Sequence, residues 1–204
     1  MFKNILLALK LLLCLLPLSA WASTILVFGD SLSAGYGLRP EAAWPSLLAG
    51  RLKDQRLDYS VVNASISGET TSGGRSRLEG ALARHRPAVL VLALGANDGL
   101  RGLPLTMMRE NLAAMVAQAR RHKVKVLLVG MRLPPNFGPY GVEFHRSFAD
   151  LARREKLAYV DFLLAGVAER PELFQADNLH PLAEAQTRIL DNVWKGLSPL
   201  LSSR

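Results

Sequence analysis

The fold is decided by residues 24–37, which read TILVFGDSLSAGYG. After Thr24, the residues ILVF (25–28) are continuously apolar, which is typical of a strand whose two faces are both covered. The residues that follow are small and polar, and they place Ser31 between Asp30 and a pair of glycines further on. A tight turn explains the glycines, but it leaves open what a serine does at the end of a buried strand.

Four further apolar runs follow along the chain, at residues 59–62, 89–94, 124–129 and 157–160. Five stretches have apolar residues at helical spacing, at residues 44–52, 75–84, 105–121, 144–154 and 182–197. Strands and helices therefore alternate, which predicts a parallel sheet with helices on both faces. With right-handed crossovers, the chain is expected to form one three-layer α/β/α sandwich around a five-stranded parallel sheet.

Residues 1–22 have the pattern of a secretory signal peptide. Lys3 and Lys10 bracket a short positive region, LLLCLLPL forms a compact apolar run, and small residues end the segment at Ala22. Because Lys10 interrupts the apolar stretch, far fewer than the ~20 residues needed to span a bilayer remain, so we interpret the segment as a cleaved leader. We expect residues 23–204 to form a single mature domain in the periplasm, with secretion beyond it left open.

Composition and charge indicate an ordinary globular domain. Half of the 204 residues are hydrophobic, and the formal charge of +8 falls to +6 when the leader takes two lysines and no acid with it. The basic residues are spread over predicted helices, so solvated helix faces explain them better than a nucleic-acid site does, and weak contact with a membrane surface is a secondary interpretation.

The single cysteine, Cys14, lies in the leader. We expect a monomer that uses no metal or cofactor and acts on small-molecule substrates.

The polar motifs follow the predicted strands. Gly29–Ser31 come after the first strand, NASISGET (63–70) after the second, GANDG (95–99) after the third and GMRLPPNFG (130–138) after the fourth, while DNLHP (177–181) precedes the last helix. Ligands of open parallel sheets bind beyond the carboxyl ends of the strands. The motifs are therefore expected to meet at one edge of the sheet.

Ser31 is a poor nucleophile unless a base lies within hydrogen-bonding reach. His180 is the candidate base, because it follows Asp177 by three residues in the loop that enters the last helix. At this spacing the Asp177 carboxylate can accept the Nδ1 proton and leave Nε2 facing the serine. Taken alone, a turn-capping role for Asp177 is the simpler interpretation. Solvated or packed roles suffice for the other three histidines, His85, His122 and His145.

An attacked carbonyl oxygen gains negative charge and needs two or three hydrogen-bond donors. The candidates are the backbone amide of Gly68, which has no Cβ to block a substrate, the side-chain amide of Asn97 and the backbone amide of Ser31. Singly, each motif is explained by turn chemistry. Asp30 and Asp98 neighbour two of these residues, and we interpret both as bracing their turns rather than as catalytic.

Together, the motifs resemble the SGNH or GDSL hydrolases, which are named for Ser, Gly, Asn and His in four separated blocks. GDSLS (29–33) matches the first block, Gly68 the second, Asn97 in GANDG the third, and Asp177 with His180 in DNLHP the last. All four occur in the family's order over nearly the whole mature chain. The Gly-x-Ser-x-Gly elbow of other serine hydrolases is absent.

This resemblance implies a flavodoxin-like sandwich with Ser31, Asp177 and His180 as the catalytic triad. It also implies an oxyanion hole made by Gly68, Asn97 and the Ser31 amide. Further stretches, among them AAWPSLL and RLPPNFG, look like the family's bacterial branch of secreted, multifunctional esterases. That branch implies hydrolysis of carboxylic esters and thioesters, including aryl esters, acyl thioesters and lysophospholipids, through an acyl-enzyme.

Two loops supply apolar side chains for a substrate groove, namely Leu100, Leu103, Met131, Leu133, Pro134, Phe137 and Tyr140. We expect them to line a groove for an acyl chain, and the alternative is that they cover the end of the core. Two other functions stay open. One is an O-deacetylase of acetylated saccharides, ranked lower because the loops are mostly aliphatic, and the other is a non-catalytic periplasmic lipid-binding protein.

Overall fold

The computed structural model describes residues 22–201. Almost all of the predicted signal peptide, residues 1–22, lies outside the described residues, and it stays a prediction. Between residues 22 and 201, no helix combines the length and the apolar character needed to cross a membrane.

The described chain alternates strands and helices in the predicted order. Its strands are β1 (Ser23–Gly29), β2 (Tyr59–Asn63), β3 (Val89–Ala93), β4 (Lys125–Val129) and β5 (Ala158–Val160). Its α-helices are α1 (Ser31–Ala34), α2 (Trp44–Asp54), α3 (Thr71–His85), α4 (Ala96–Leu100), α5 (Leu105–Arg121), α6 (Gly138–Arg154) and α7 (Gln186–Leu197). Every predicted strand is therefore confirmed to within one or two residues at its ends.

The five strands form one parallel sheet in the order β2-β1-β3-β4-β5. The chain first moves outward from β1 to β2, and it then returns past β1 and continues in the other direction from β3. This reversal opens a crevice at the carboxyl ends of β1 and β3, where open α/β sheets bind their ligands. The flavodoxin-like order of strands thus determines where a site can lie.

Both faces of the sheet are covered, as the continuous apolar runs predict. Ile25 and Val27 of β1 belong to a core shared with α2 and α7. Leu26 and Phe28 belong to a second core shared with α3, α5 and α6. Because successive side chains of a strand point to opposite faces, one apolar run supplies both cores. The predicted three-layer α/β/α sandwich is confirmed.

Two helices begin earlier than the sequence predicts. α3 starts at Thr71 instead of Arg75, and the Thr70 hydroxyl accepts a hydrogen bond from the first turn. α6 starts at Gly138, six residues before the predicted start, with Pro139 in the first turn, where a missing N–H costs nothing. Glycine-rich sequence hides both helix starts from a reading based on apolar periodicity.

The last helix begins later than predicted. α7 starts at Gln186 instead of Leu182, after a short 3₁₀ turn at Ala183–Ala185. Pro181, which the sequence suggests for a first helical turn, instead forms an isolated antiparallel bridge with Phe174. The segment between β5 and α7 therefore forms a backbone contact within itself, between Phe174 and Pro181, before the helix begins.

Candidate active site

Residues from four separate segments line one cavity of about 250 Å³ at the carboxyl edge of the sheet. Ser31 begins α1 directly after β1, Gly68 lies in the loop after β2, and Asn97 lies in α4 directly after β3. His180 reaches the same cavity from the loop that precedes α7. The structure thus brings together the four side chains or amides that the sequence motifs single out.

A row of hydrogen bonds joins the serine, the histidine and the aspartate. His180 Nε2 lies 2.8 Å from Ser31 Oγ, and His180 Nδ1 lies 2.7 Å from Asp177 Oδ2. Because Nδ1 faces a carboxylate, it carries the imidazole proton, and Nε2 is left to accept the proton of the Ser31 hydroxyl. The arrangement has the geometry of a hydroxyl held against a general base.

The Asp177 carboxylate is held by its own turn. Its Oδ1 accepts hydrogen bonds from the backbone N–H groups of Leu179, at 2.9 Å, and of His180, at 3.0 Å. The hydrogen bond from the His180 imidazole has the largest effect on the pKa of Asp177, and together with the bonds from these backbone groups it lowers that pKa to about 2. The carboxylate therefore stays ionised across the neutral and mildly acidic range. Between Asp177 and His180, Asn178 turns the chain with a φ of 55°. Asn tolerates this left-handed conformation better than most residues.

The His180 ring also has an aromatic neighbour that sequence reasoning missed. The ring of Tyr36 lies 4.4 Å from the imidazole, centroid to centroid, at an interplanar angle of 36°. Gln175 joins the two segments, because its backbone N–H donates to His180 O and its side chain donates to Tyr36 O, both at 2.8 Å. The one signal in the sequence was an aromatic residue between Gly35 and Gly37, directly after the serine turn.

Asp30 braces the turn that carries Ser31. It is 2% exposed, and its Oδ1 accepts a hydrogen bond from Leu32 N–H at 3.0 Å. Gly29, just before it, has no room for a side chain, since a Cβ there would lie 2.9 Å from the carbonyl oxygen of Ala93. The backbone of β1 must approach β3 this closely for Ser31 to emerge at the crevice.

Burial makes Asp30 an unusual acid. Desolvation raises its pKa to about 7, the nearby Asp98 and Glu69 add to the rise, and the Leu32 N–H opposes it. The folded chain thus binds this proton more tightly than the unfolded chain, in which an aspartate titrates near pH 4. The resulting stability is fully present below about pH 4 and is lost as the pH rises through about 7.

Asp30→Asn is therefore expected to raise the free energy of unfolding at pH 8 and to change it little at pH 4. The amide oxygen can still accept from Leu32 N–H, and the gap between an ordinary carboxyl pKa and about 7 corresponds to at most about 4 kcal/mol. Urea unfolding between pH 4 and 8 measures the difference, with exposed Asp54→Asn as the control. Parallel stability curves for Asp30→Asn and the wild-type chain would contradict this prediction.

The three proposed oxyanion donors face the same cavity. Gly68 adopts φ 78°, where a side chain would be strained, and its carbonyl accepts a hydrogen bond from Arg101 Nη2 at 3.0 Å. Asn97 Nδ2 donates to Glu69 O at 3.0 Å. That bond uses one of the two amide hydrogens and leaves the other for a substrate oxygen. Ser31, at the start of α1, lines the same cavity as Gly68 and Asn97.

A second cavity of about 490 Å³ continues from the first and has mostly apolar walls. The two cavities share Ala96, Leu100, Met131 and Leu179. Four of the seven side chains proposed for the groove line this second cavity, namely Leu100, Met131, Leu133 and Pro134. The opposite wall follows β5 and was missed by the sequence analysis; its apolar residues are Phe162, Leu164, Ala168, Pro171 and Phe174.

The other three side chains proposed for the groove do not line either cavity. The Tyr140 hydroxyl donates to Leu103 O at 2.7 Å, and the rings of Phe137 and Tyr140 lie 6.4 Å apart. Tyr140 also packs, partly buried, against the core under α5 and α6. For Tyr140 the structure fits the alternative interpretation, in which these side chains cover the end of the core.

Comparison with known proteins agrees with this geometry. The GDSL-like lipase/acylhydrolase family matches the chain over residues 27–188. The chain is 50% identical over 192 residues to Esterase TesA of Pseudomonas aeruginosa, and the match covers 94% of this chain and 96% of that protein. It is 37% identical over 185 residues to thioesterase 1/protease 1/lysophospholipase L1 of Escherichia coli K12, with 90% and 88% covered.

The fold has a close counterpart among solved structures. The psychrotrophic esterase EstA from Pseudoalteromonas sp., in a structure inhibited by monoethylphosphonate, superposes with a TM-score of 0.83 at 37% identity, covering 87% of this chain and 97% of that one. The family match spans all four sequence blocks, from the serine turn to the histidine loop. This chain is therefore a hydrolase that belongs to the GDSL-like lipase/acylhydrolase family, as its motifs predict.

Proposed function

We propose that the protein hydrolyses carboxylic esters and thioesters, including aryl esters, acyl thioesters and lysophospholipids, with Ser31 as the nucleophile. The observation that carries this proposal is the 2.8 Å contact between His180 Nε2 and Ser31 Oγ, backed by Asp177 on Nδ1. Gly68 and Asn97, which line the same cavity, support it. Relatives named as an esterase and as a thioesterase and lysophospholipase agree with it.

In the first half of the reaction, His180 Nε2 takes the Ser31 proton as Oγ bonds to the carbonyl carbon. Asp177 keeps the imidazole oriented and stabilises the imidazolium that forms. The carbonyl oxygen becomes an oxyanion, which receives hydrogen bonds from the amides of Ser31, Gly68 and Asn97. The imidazolium then gives its proton to the leaving alcohol or thiol, and the acyl group stays on Ser31.

The second half repeats these steps with water as the nucleophile. Neutral His180 accepts a proton from water as its oxygen attacks the acyl-enzyme, and the same three amides stabilise the second oxyanion. Collapse of this intermediate breaks the bond to Ser31 Oγ, which regains a proton from His180, and the free acid leaves. The same residues serve esters and thioesters, although an alkoxide leaving group needs the imidazolium proton more than a thiolate does, because a thiolate is the weaker base.

The apolar second cavity is suited to an acyl chain. It adjoins the cavity that holds Ser31, since Leu100, Met131 and Leu179 line both, and we expect an acyl group on Ser31 to extend toward it. Burial of one CH₂ group contributes about 0.8 kcal/mol, or roughly a fourfold change in an equilibrium constant. We therefore expect kcat/KM for p-nitrophenyl esters to rise by up to about fourfold per CH₂ from acetate upward until the groove is filled.

A bulky substituent in the groove should reverse that preference. Ala168 lies in the far wall, so Ala168→Trp is expected to lower the ratio of long-chain to short-chain kcat/KM by about tenfold or more, since several CH₂ groups lose their site. Ala117→Trp on the exposed face of α5 is the matched control and should leave the ratio unchanged. The measurement is a chain-length series of p-nitrophenyl esters on the purified mature chain.

The substrate panel also tests the alternatives. Acyl-CoA, lysophospholipid and an acetylated sugar are assayed beside the aryl esters. Activity that falls steadily from acetate upward would contradict an acyl groove, and turnover of the acetylated sugar alone would support an O-deacetylase. Binding of fatty acid without turnover of any ester would support a lipid-binding protein.

Export is part of the proposed function, and it rests on the sequence pattern of residues 1–22. Cleavage after Ala22 would release a periplasmic enzyme of 182 residues, numbered 23–204, that works as a monomer. The intact mass of the protein from a periplasmic extract tests the cleavage point.

A further inference from the structure

Two of the proposed oxyanion donors belong to different segments of the sheet edge. Gly68 lies between β2 and α3, and Asn97 lies in α4 after β3. β1 lies between β2 and β3 in the sheet, so the strands that precede the two donors do not pair directly with each other. Both donors must nevertheless contact the same oxygen atom, within a narrow range of distances.

A buried contact joins the two segments. Asp98, next to Asn97, is 3% exposed, and Thr71, three residues after Gly68, is fully buried. The backbone N–H of Thr71 donates to Asp98 Oδ2 at 2.8 Å, and the Thr71 hydroxyl donates to Asp98 Oδ1 at 2.6 Å. Both carboxyl oxygens are used, and they lie at the N-terminus of α3, where negative charge is favoured.

A third element fixes the direction of the Thr71 hydroxyl. Asn111 of α5 donates from Nδ2 to Thr71 Oγ1 at 3.2 Å, while its own Oδ1 accepts from Arg75 Nη1 at 3.2 Å. A hydroxyl has a single proton. Since the Thr71 oxygen accepts from Asn111, its proton is left for Asp98, and the buried polar groups hold one arrangement.

The Asn97 side chain is hydrogen-bonded to the segment that contains Gly68. Its Nδ2 donates to Glu69 O at 3.0 Å, and the Glu69 carboxylate is paired with Arg77, with Oε2 and Nε 2.5 Å apart. The direction of the Asn97 amide therefore depends on where residues 68–71 lie relative to α4. The Thr71–Asp98 contact maintains that relation.

We propose that Thr71 and Asp98 are positioning residues of the oxyanion hole, which hold the Gly68 segment against α4 so that both donors reach one oxygen. This role rests on the proposed function and adds two residues that do not touch the substrate. A role limited to capping α3 predicts a loss of stability with the catalytic constants intact. A positioning role predicts a loss of kcat that depends on Asn97.

A double-mutant cycle with a p-nitrophenyl ester separates the two roles. Thr71→Val keeps the backbone N–H and the branched shape but removes the hydroxyl proton from Asp98. We expect it to lower kcat by about 10- to 100-fold with a change in KM below about threefold, because a displacement of about 1 Å has effects of this size. Asn97→Ala alone is expected to cost about 10²–10³ in kcat. In the Asn97→Ala background, Thr71→Val is expected to cost less than about fivefold, because Thr71 sets the position of Gly68 relative to Asn97 and one donor of that pair is gone.

Two controls separate positioning from general destabilisation. Thr71→Ser keeps the hydroxyl and should recover most of the kcat that Thr71→Val loses. Leu82→Val, on the buried face of α3, should lower the melting temperature without changing kcat. If Thr71→Val does not fold, Asn111→Leu, which removes the bond to Thr71 Oγ1, is expected to lower kcat by about three- to tenfold with the same dependence on Asn97.

Equal costs of Thr71→Val in both backgrounds would overturn the positioning role. An unchanged kcat with a lowered melting temperature would also overturn it, and would assign Thr71 and Asp98 to capping alone. Failure of the proposed function gives a different result. The wild-type chain would then show no ester turnover, so neither Thr71→Val nor Asn97→Ala could lower it.

Discussion

Replacing Ser31 by alanine is expected to lower kcat for every ester and thioester by a factor of about 10⁴–10⁶, because no other group can form the acyl-enzyme. The change removes one oxygen atom from a partly exposed position at the start of α1, so the fold should persist. The amides of Ser31, Gly68 and Asn97 remain, and they account for the residual rate over water.

The measurement combines ester kinetics with labelling by a fluorophosphonate, followed by the intact mass of the protein. Ser33→Ala is the matched control, two residues further along the same turn. The Ser33 hydroxyl is buried and finds no hydrogen-bond partner among residues 22–201, so its loss should leave labelling intact. Stoichiometric labelling of the Ser31→Ala protein would show that the nucleophile is another residue.

Asp177→Asn is expected to lower kcat by about 10³–10⁴ while KM changes little. The amide oxygen can still accept from the N–H groups of Leu179 and His180, so the turn is kept. The amide NH₂ then faces His180 Nδ1 as a donor, which moves the imidazole proton to Nε2. In that tautomer His180 cannot accept the proton of Ser31.

Pre-steady-state acylation rates measure this effect directly. Asp191→Asn is a suitable control, because Asp191 has nearly the same side-chain exposure as Asp177, 41% against 40%, and pairs with Arg51 on α2. Retention of more than about a tenth of the acylation rate in Asp177→Asn would support the simpler interpretation of the sequence, in which Asp177 only caps its turn.

The sheet and its layers could be predicted from sequence because each strand is a short, continuous apolar run between polar turns. β3, with five buried residues in a row, needs no knowledge of its neighbours to be recognised. The positions of Ser31, Asn97 and His180 then follow from a rule of parallel sheets, that loops after the strands meet at one edge. Of the other histidines, His122 contacts Glu79 and His145 contacts Asp161, and neither lines the cavity that holds Ser31, in agreement with the roles predicted for them.

What could not be predicted depends on contacts between distant segments. The far wall of the groove lies between β5 and α7, where Phe162 and Phe174 have no periodic pattern that marks them as facing outward to a cavity. The stacking of Tyr36 on His180 joins residues 144 positions apart. Local propensity likewise gave no sign that α6 begins at Gly138, because the backbone there has a φ of 53°, which glycine adopts readily but which apolar periodicity does not mark.

The bridge between Phe174 and Pro181 has a consequence for engineering the enzyme. Phe174 lines the proposed acyl groove and Pro181 directly follows His180, so we expect a substitution that moves Phe174 to displace His180 as well. Redesign for other chain lengths should therefore leave residues 174–181 alone. Leu133 and Pro134, which also line the groove, are better positions for substitution. Among the residues described, they share no backbone hydrogen bond with residues 174–181.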